Sequence, residues 1–430
     1  MTSIMWFRDD LRLHDNPALT WGAAQGPLLA LVIDEPVYPG TRPLGAAASW
    51  WRERSIRALA GDLAARGIPL IRRTGNPHQV LSELAPTAVA WTRRYHKPLR
   101  EVDSQLKDHF PVRSFPGHTI TEPWEVLTKS GEPYKVFTPY SKAARLQVRD
   151  DEPLPVPAMT GAGTPPPPLP EPEQPAWASG FDWIPGERAA RARAGEFLEE
   201  ISGYTRGRDF PARQATSRLS PHLRFGEISA RELYLSALES GSPDAAKFCS
   251  ELLWRDFAWH RLYHLPDMAI RNVRTQFDHF DWEDEEDSDA LRAWQRGETG
   301  IPLVDAGMKE LWATGYMHNR VRMVAGSFLT KNLGIHWRRG EQWFWDTLVD
   351  ADPASNPFGW QWVAGSGDDA APFFRIFNPI TQQERFDPDG EYIARWSPES
   401  LTPLGPEPIV DLKESRQAAL EAYSEIKALK

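Results

Sequence analysis

From Met1 to about residue 130, short apolar runs alternate with stretches whose apolar positions recur every three or four residues. SIMWFR, LLALVIDE, PLIRRT, TAVAWTRR and VRSFPG have the length and the β-branched and aromatic content of strands. A helix is predicted over Leu44–Arg66, with apolar residues at Trp50, Ile56, Leu59 and Leu63 and a stop at Gly67. Strands and helices alternating at this spacing imply a Rossmann-like α/β unit, a parallel sheet with helices on its faces. Ligands of such sheets collect at the carboxyl ends of the strands. No GxGxxG or Walker-type loop follows the first strand, which argues against an ordinary dinucleotide or ATP site.

The pattern changes between Asp150 and about Glu187, where prolines are dense, Pro165 to Pro168 are consecutive, and periodicity is lost. Such a stretch cannot bury enough surface to fold by itself and is expected to wrap the outside as a linker. Helical spacing returns afterwards and holds nearly to the end, in ERAARARAGEFLEEI, SARELYLSALES, AAKFCSELLWRDFAWHRLYHL, DALRAWQRG, VDAGMKELWATG, VRMVAGSFLTKNL and GEQWFWDTLVD. No repeat of solenoid length is visible. The expected organisation is an α/β domain over 1–130, a connecting segment and Pro-rich linker over 131–188, and a large all-helical domain over 189–430.

Composition narrows the class. The chain is 41% hydrophobic and 25% charged, and no apolar run is long enough to span a bilayer. MTSIMWFRDD lacks the order of a signal peptide. Cys249 is the single cysteine, which excludes a disulfide framework or thiolate cluster within one chain, and nothing has metal-ligand spacing. A cytoplasmic monomer without a metal or a membrane partner is the expectation. A net charge of −10 speaks weakly against nucleic acid, but its distribution weakens that objection. Asp281 to Asp289 carries seven acids, whereas His318 to Arg339 carries Arg320, Arg322, Lys331, Arg338 and Arg339 with no acid. A local basic face can meet phosphates on an acidic chain.

The densest chemistry lies between Trp337 and Pro379, where Trp337, Trp343, Trp345, Trp360 and Trp362 sit among Asp350, Asp352, Asp368 and Asp369. Core segments rarely mix indoles and carboxylates in this way, so the stretch marks a functional centre. Four constellations stand out. Tyr204 with Thr216, Ser217, Arg218, Leu219 and Ser220 offers hydroxyls and a cation for a phosphate, or merely a helix cap. In ELLWRDF, Glu251, Trp254 and Ala258 share a helical face that could hold a flat, polar-edged ligand. The alternative is a surface Glu251–Arg255 pair beside a core tryptophan. In MHNRVRM, Asn319 and Met323 lie one turn apart, and an arginine here with Asp350 and Asp352 implies a buried ion pair or a ligand clamp. Finally, the 19 tryptophans make either an aromatic core or a route for electrons.

These segments together resemble the DNA photolyase/cryptochrome family over nearly the whole chain, most like class I cyclobutane pyrimidine dimer photolyases. WFRDDLRLHDNPAL, YKVFTPYSKA, TSRLSPHLRFGEIS, ELLWRDF, TGIPLVDAGMKELWATGYMHNRVRM, DADPASNPFGWQW and DDAAPFFRIFNP follow in family order. The resemblance implies one non-covalent FAD in the helical domain. Tyr204 and Thr216, Ser217, Arg218, Leu219 and Ser220 would hold its phosphate region. Asp350, Ala351 and Asp352 would line the ring, Arg322 would pair with Asp350, and Asn356 would face the flavin N5 atom. Trp360, Trp337 and Trp282 match a photoreduction chain to the surface. Glu251, Trp254, Asn319, Arg320, Met323 and Trp362 match lesion-contacting positions, and Arg208 and Gln382 further DNA contacts. Arg255, beside Trp254, is placed with the DNA-binding set. Trp343, Trp345, Asp368 and Asp369 are assigned to the core.

The implied activity is light-driven repair of pyrimidine dimers in damaged DNA, with Glu251 stabilising the charge on the dimer. The short continuation after Arg395 and the intact lesion set favour repair over a cryptochrome-type blue-light photoreceptor or a light-independent electron-transfer flavoprotein. The α/β domain would house an antenna chromophore. Pro98 and Leu99 stand where folate-type members carry an Asn-Glu pair, which favours a deazaflavin or a second flavin over folate.

Overall fold

Apolar runs buried on both faces make the first half of the chain. The computed structural model describes residues 2–370, 374–403 and 405–427. Its five strands, β1 (Ser3–Trp6), β2 (Leu28–Asp34), β3 (Leu70–Thr74), β4 (Ala88–Thr92) and β5 (Val112–Phe115), form one parallel sheet in the order β3-β2-β1-β4-β5. Alternation decides which side each residue serves. Met5, Leu28, Ala30 and Val32 join one core cluster, and Ile4, Trp6, Leu31 and Ile33 the other. Such double burial is why these strands read as unbroken apolar runs. The strand order reverses at β1, and a crevice opens there at the carboxyl ends.

Helix α1 (Ala46–Ala64) packs against the sheet through Trp51, Ile56, Leu59 and Leu63. It begins where it does because its N-cap, Gly45, lies flat against the helical half: a Cβ there would sit 1.9 Å from the Trp345 carbonyl oxygen. Ala46 N–H donates to Asp346 Oδ1 at 2.9 Å in the same contact. The Pro-rich stretch wraps the outside as expected, with the three-residue turn Ala176–Ala178 as its one helical piece among the described residues. It is fastened at intervals: Thr160 O and Ala162 N–H bracket Leu28, Leu154 N–H reaches Asp15, and Gln174 Oε1 accepts from Trp50 Nε1.

The helical half has two hydrophobic clusters. One surrounds α2 (Ala245–His264) through Phe248, Leu252, Leu253 and Phe257. The other joins α3 (Asn319–Ser327) and α4 (Trp337–Thr347) through Val321, Val324, Trp337 and Phe344. Helix α5 (Ser355–Ala364) stands at the seam, giving Phe358 to the first cluster and Trp360 to the second. Helices α6 (Pro379–Phe386) and α7 (Leu412–Lys427) close the far side. The single helix expected from VRMVAGSFLTKNL breaks in two, because α3 gives way at Phe328 to a wider π turn, Phe328–Asn332. Local π turns of this kind cluster near functional sites. No helix among the described residues is long and apolar enough to cross a membrane.

Candidate functional site

The seam places the loop 350–356 between the two halves, and its residues are held from both sides. Asp350 accepts from Arg322 through both oxygens, at 3.1 and 2.8 Å, and from Ser220 Oγ at 2.6 Å. Burial works against the Arg322 charge, but Asp350 beside it holds the guanidinium above its ordinary value. Arg322 Nε also donates to Met317 O at 2.7 Å, which fixes the fork in register with the carboxylate. Asp352 turns inward and accepts from Ala354 N–H and Ser355 N–H at 2.7 and 2.6 Å, shaping the entry to α5. Ala351 O accepts from Arg224 Nε at 2.9 Å, and Arg224 bonds Asp9 of the sheet half at 2.7 Å. Asn356 Nδ2 donates to Glu341 O at 3.0 Å and to Glu341 Oε1 at 2.8 Å.

Beside this loop, residues 216–220 lead into a short helical turn. Arg218 takes a left-handed backbone, φ 53°, and lays its guanidinium over Trp183 and Tyr316. Its buried Nε has no hydrogen-bond partner among the described residues. Thr216 O and Ser217 O accept from Arg193, and Ser217 Oγ accepts from Leu219 N–H. Tyr204 is buried between Phe197 and Phe248, and burial raises its phenol above the ordinary value. An unpartnered guanidinium N–H, the Ser220 hydroxyl and the Arg322–Asp350 pair form a donor set that fits an anionic, hydrogen-bonding cofactor such as FAD.

The expected lesion residues are joined by a chain of charges. Arg208 pairs with Glu251, which also accepts from Lys247 at 2.8 Å. Asp209 lies 3.8 Å from Arg208 and 2.9 Å from Arg320, and Arg320 stacks on Phe386 of α6. Two buried atoms in this neighbourhood, Arg320 Nε and Gln382 Oε1, have no partner among the described residues. Trp254 is half-buried and stacks face to face on Phe137, with centroids 3.7 Å apart. Asn319 Nδ2 approaches Met323 Sδ at 3.9 Å, and Trp362 stacks on Phe377. Asp209 and Phe137 were missed in sequence, although Phe137 lies in YKVFTPYSKA, a segment singled out there, and Asp209 directly follows Arg208.

Some expectations need correction. Arg255 does not pair with Glu251 and does not face outward with Trp254. Its guanidinium donates to His118 O, His118 Nε2 and Leu223 O, because backbone acceptors in the interior lie within reach where Glu251 is already taken. Burial lowers its charge stability, opposed by Asp256 and Asp352. Trp343 and Trp345 lie at the margin of the core: both are partly buried against its second cluster, Trp343 stacked on the exposed Trp312, and Trp345 under Arg42 with its Nε1 on Pro43 O. Asp368 is structural, bonded at 2.7 Å to the buried Arg261. Of DDAAPFFRIFNP, residues 371–373 lie outside the described residues.

The three tryptophans placed in an electron chain do not touch ring to ring. Trp360 packs on Phe344 and Trp294, while Trp337 and Trp282 lie either side of His336, at 5.5 and 4.9 Å. Trp282 is 9% exposed, under Phe277 and Phe280, so it ends near the surface without opening onto it. On the opposite side of the loop 350–356, the crevice of the sheet holds about 950 Å³. Arg8, Asp34, Tyr38, His118, Glu341 and Trp345 are among its lining.

Comparison with known proteins covers both halves. Residues 3–158 match the family described as DNA photolyase, and residues 248–404 the FAD binding domain of DNA photolyase. The chain is 42% identical to the deoxyribodipyrimidine photo-lyase of Agrobacterium fabrum, over 99% of its own length and 98% of the relative. It is similar to the crystal structure of a bacterial class III photolyase from Agrobacterium tumefaciens, with TM-score 0.92, 40% identity and coverage of 100% and 98%. That match does not support the expectation of a chain most like class I. An archaeal photolyase from Sulfolobus tokodaii, solved with two FAD molecules, is similar at TM-score 0.82 and 30% identity, covering 99% of this chain and 100% of the other.

Proposed function

This chain belongs to the DNA photolyase/cryptochrome family and is an enzyme of the deoxyribodipyrimidine photo-lyase type; from that premise we propose that it splits cyclobutane pyrimidine dimers in DNA by light-driven electron transfer. The observation that carries this reading is the ionic chain from Glu251 through Arg208 and Asp209 to Arg320, beside Trp254. It gathers cations for phosphates, a carboxylate for a base edge and an aromatic face in one place.

Ser220, Arg218 and Arg322 would hold FAD, with Tyr204, Thr216, Ser217 and Leu219 at its phosphate region and Asp350, Ala351, Asp352 and Asn356 along its ring. When bound, FAD supplies a light-driven one-electron donor. Every other task falls to the chain. Arg208, Arg320 and Gln382 neutralise or bond the backbone around the damage, which makes affinity salt-dependent. A dimer stacks poorly in duplex DNA, so extruding it costs only a few kcal/mol. Trp254, braced by Phe137, and Trp362, braced by Phe377, pack against the extruded bases at about 1–3 kcal/mol per aromatic contact. Asn319 and Met323 line the same pocket. Phosphates that draw Arg208 and Lys247 away free Glu251, which in its protonated form donates a hydrogen bond to a base carbonyl and stabilises charge as it develops there. Trp360, Trp337 and Trp282 serve to refill the donor from outside.

The 950 Å³ crevice of the sheet is the place for an antenna chromophore. Pro98 and Leu99 line it, where an Asn-Glu pair would suit folate, so a deazaflavin or a flavin is the fitting occupant. The test of the whole reading is illumination of dithionite-reduced protein with dimer-containing DNA. Recovery of thymine absorbance is expected; a flat trace, with flavin present, leaves the photoreceptor reading in its place.

A further inference from the structure

Asn356 makes its contacts in a way that fixes which atom it offers. Both hydrogen bonds from its side chain run from Nδ2 to acceptors of one residue, Glu341 O and Glu341 Oε1. A turned amide would set its oxygen against those two oxygens, so the orientation is chemically forced. The free atom is Oδ1, which has no hydrogen-bond partner among the described residues. What keeps Glu341 an acceptor comes from the other half of the protein. Arg42, in the loop after β2, grips both Glu341 oxygens as a fork, 299 positions away in sequence. The Glu341 side chain is only 2% exposed, so without a cation its charge would be stranded.

Arg42 is itself held in place. Its guanidinium lies 3.7 Å over the Trp345 ring, whose Nε1 donates to Pro43 O at 2.9 Å. Thr41 Oγ1 ties the loop back through Tyr38 N–H and Tyr38 O. The loop ends at the Gly45 contact with the Trp345 backbone.

We propose that Arg42 is a positioning residue for the flavin edge: by clamping Glu341 it holds the Asn356 amide with its oxygen outward. The proposal rests on the reading that Asn356 faces the N5 edge of a bound FAD. An amide oxygen there stabilises a ring nitrogen that carries hydrogen and repels a bare one. If Arg42 is removed, the Glu341 side chain loses its cation and turns away, so the amide keeps a single fixed acceptor, Glu341 O. The flipped amide, whose N–H₂ favours the bare nitrogen, then has one acceptor instead of two against it and gains population. Arg42 therefore biases the ring toward its reduced state, with electrons delivered by an external reductant and the proton by solvent.

The experiment is a redox titration of the FAD-loaded protein with dithionite, following the oxidised-to-reduced ratio at fixed potential. Arg42→Ala is expected to raise that ratio about tenfold, the size of one hydrogen bond lost at a buried site. Arg42→Lys, which keeps the charge but not the fork, should fall between. In an Asn356→Ala background, Arg42→Ala should add nothing further. An unchanged ratio in loaded Arg42→Ala, or an equal shift in the Asn356→Ala background, overturns the proposal. Should Arg42→Ala fail to hold flavin, Arg42→Gln, which keeps the stem on Trp345, is titrated in its place: a raised ratio supports the clamp and an unchanged one overturns it. A parent protein that binds no flavin at all overturns the underlying functional reading instead.

Discussion

The loop 350–356 has two walls, and they are built differently. On the helical side Asp350 meets Ser220 and Arg322, groups that are exposed or half-buried. On the sheet side Ala351 O meets Arg224, and Asn356 meets the buried Glu341, each anchored in turn by a residue of the other half, Asp9 or Arg42. On the proposed reading the helical wall takes FAD, and the buried Arg218 Nε beside it has no hydrogen-bond partner among the described residues. On the sheet wall Arg224 and Arg42 span the two halves and hold Ala351 and, through Glu341, Asn356 in place. The loop is thus a partition, with exposed or half-buried polar groups on one side and buried, cross-domain support on the other.

The sharpest way to break this contrast is to remove the acid from each wall. Asp350→Ala leaves the three-quarters-buried Arg322 without its counter-charge, and a loss of about 3 kcal/mol is expected, the lower end of the range for a buried pair because of that exposure. It should appear as a lower Tm and loss of flavin absorbance on gel filtration. Glu341→Ala should cost less, about 2 kcal/mol, because Asn356 keeps its bond to Glu341 O and Arg42, one-third exposed, can turn to water. If Glu341→Ala proves the more damaging in the same melts, the sheet wall and not the helical one carries the loop.

How much of this was legible in sequence divides along the same line. The five strands appear where their apolar runs stand, because burial on both faces leaves no polar position to blur them. The helical wall was legible in part: a buried acid needs a base, which called for an arginine of MHNRVRM beside Asp350 and Asp352, and the family resemblance named Arg322 and Asp350 as the pair. The sheet wall was not. Arg42 and Glu341 are each ordinary charged residues in sequence, and only the chain's path brings them together. Local rules also failed where a nonlocal partner was better. The i,i+4 pair of Glu251 and Arg255 does not form, since Glu251 finds Arg208 and Lys247 and Arg255 finds the carbonyls of His118 and Leu223. The π turn after α3 was invisible because it leaves the apolar spacing nearly intact.

Each wall also carries a buried neutral histidine, which gives a gentler probe. Burial brings His318, the cap of α3, down to about 4, and holds His118, under Arg255, well below its usual value. A depressed folded value means that only the unfolded chain binds the proton as pH falls below 6.5. For His318 the associated stability is intact above pH 6.5 and is lost as pH falls toward about 4. At pH 5.5 the loss is about 1.4 kcal/mol for His318. His318→Asn can still accept from Arg320 N–H as a cap, so it should match the parent at pH 7.5 and be about that much more stable at pH 5.5. A melt series that stays parallel from pH 7.5 to 5.5 would move the acid-labile site to the sheet wall and His118.

The smallest effect is expected at Ser220, and its smallness is the point. Its hydroxyl bonds Asp350 at 2.6 Å, a length that elsewhere would mark a strong, charge-assisted contact. Yet Ser220 is exposed, and Asp350 keeps both bonds from Arg322 when the hydroxyl is gone. Water can take the vacated place at little cost, so Ser220→Ala should lower the stability of flavin-free protein by well under about 1 kcal/mol. A bound cofactor covers that surface and removes the water's access, so the same change should cost more in flavin retention than in flavin-free stability. Equal effects in flavin-free and loaded melts would mean that Ser220 faces solvent in both states, and the helical wall would then begin at Arg322.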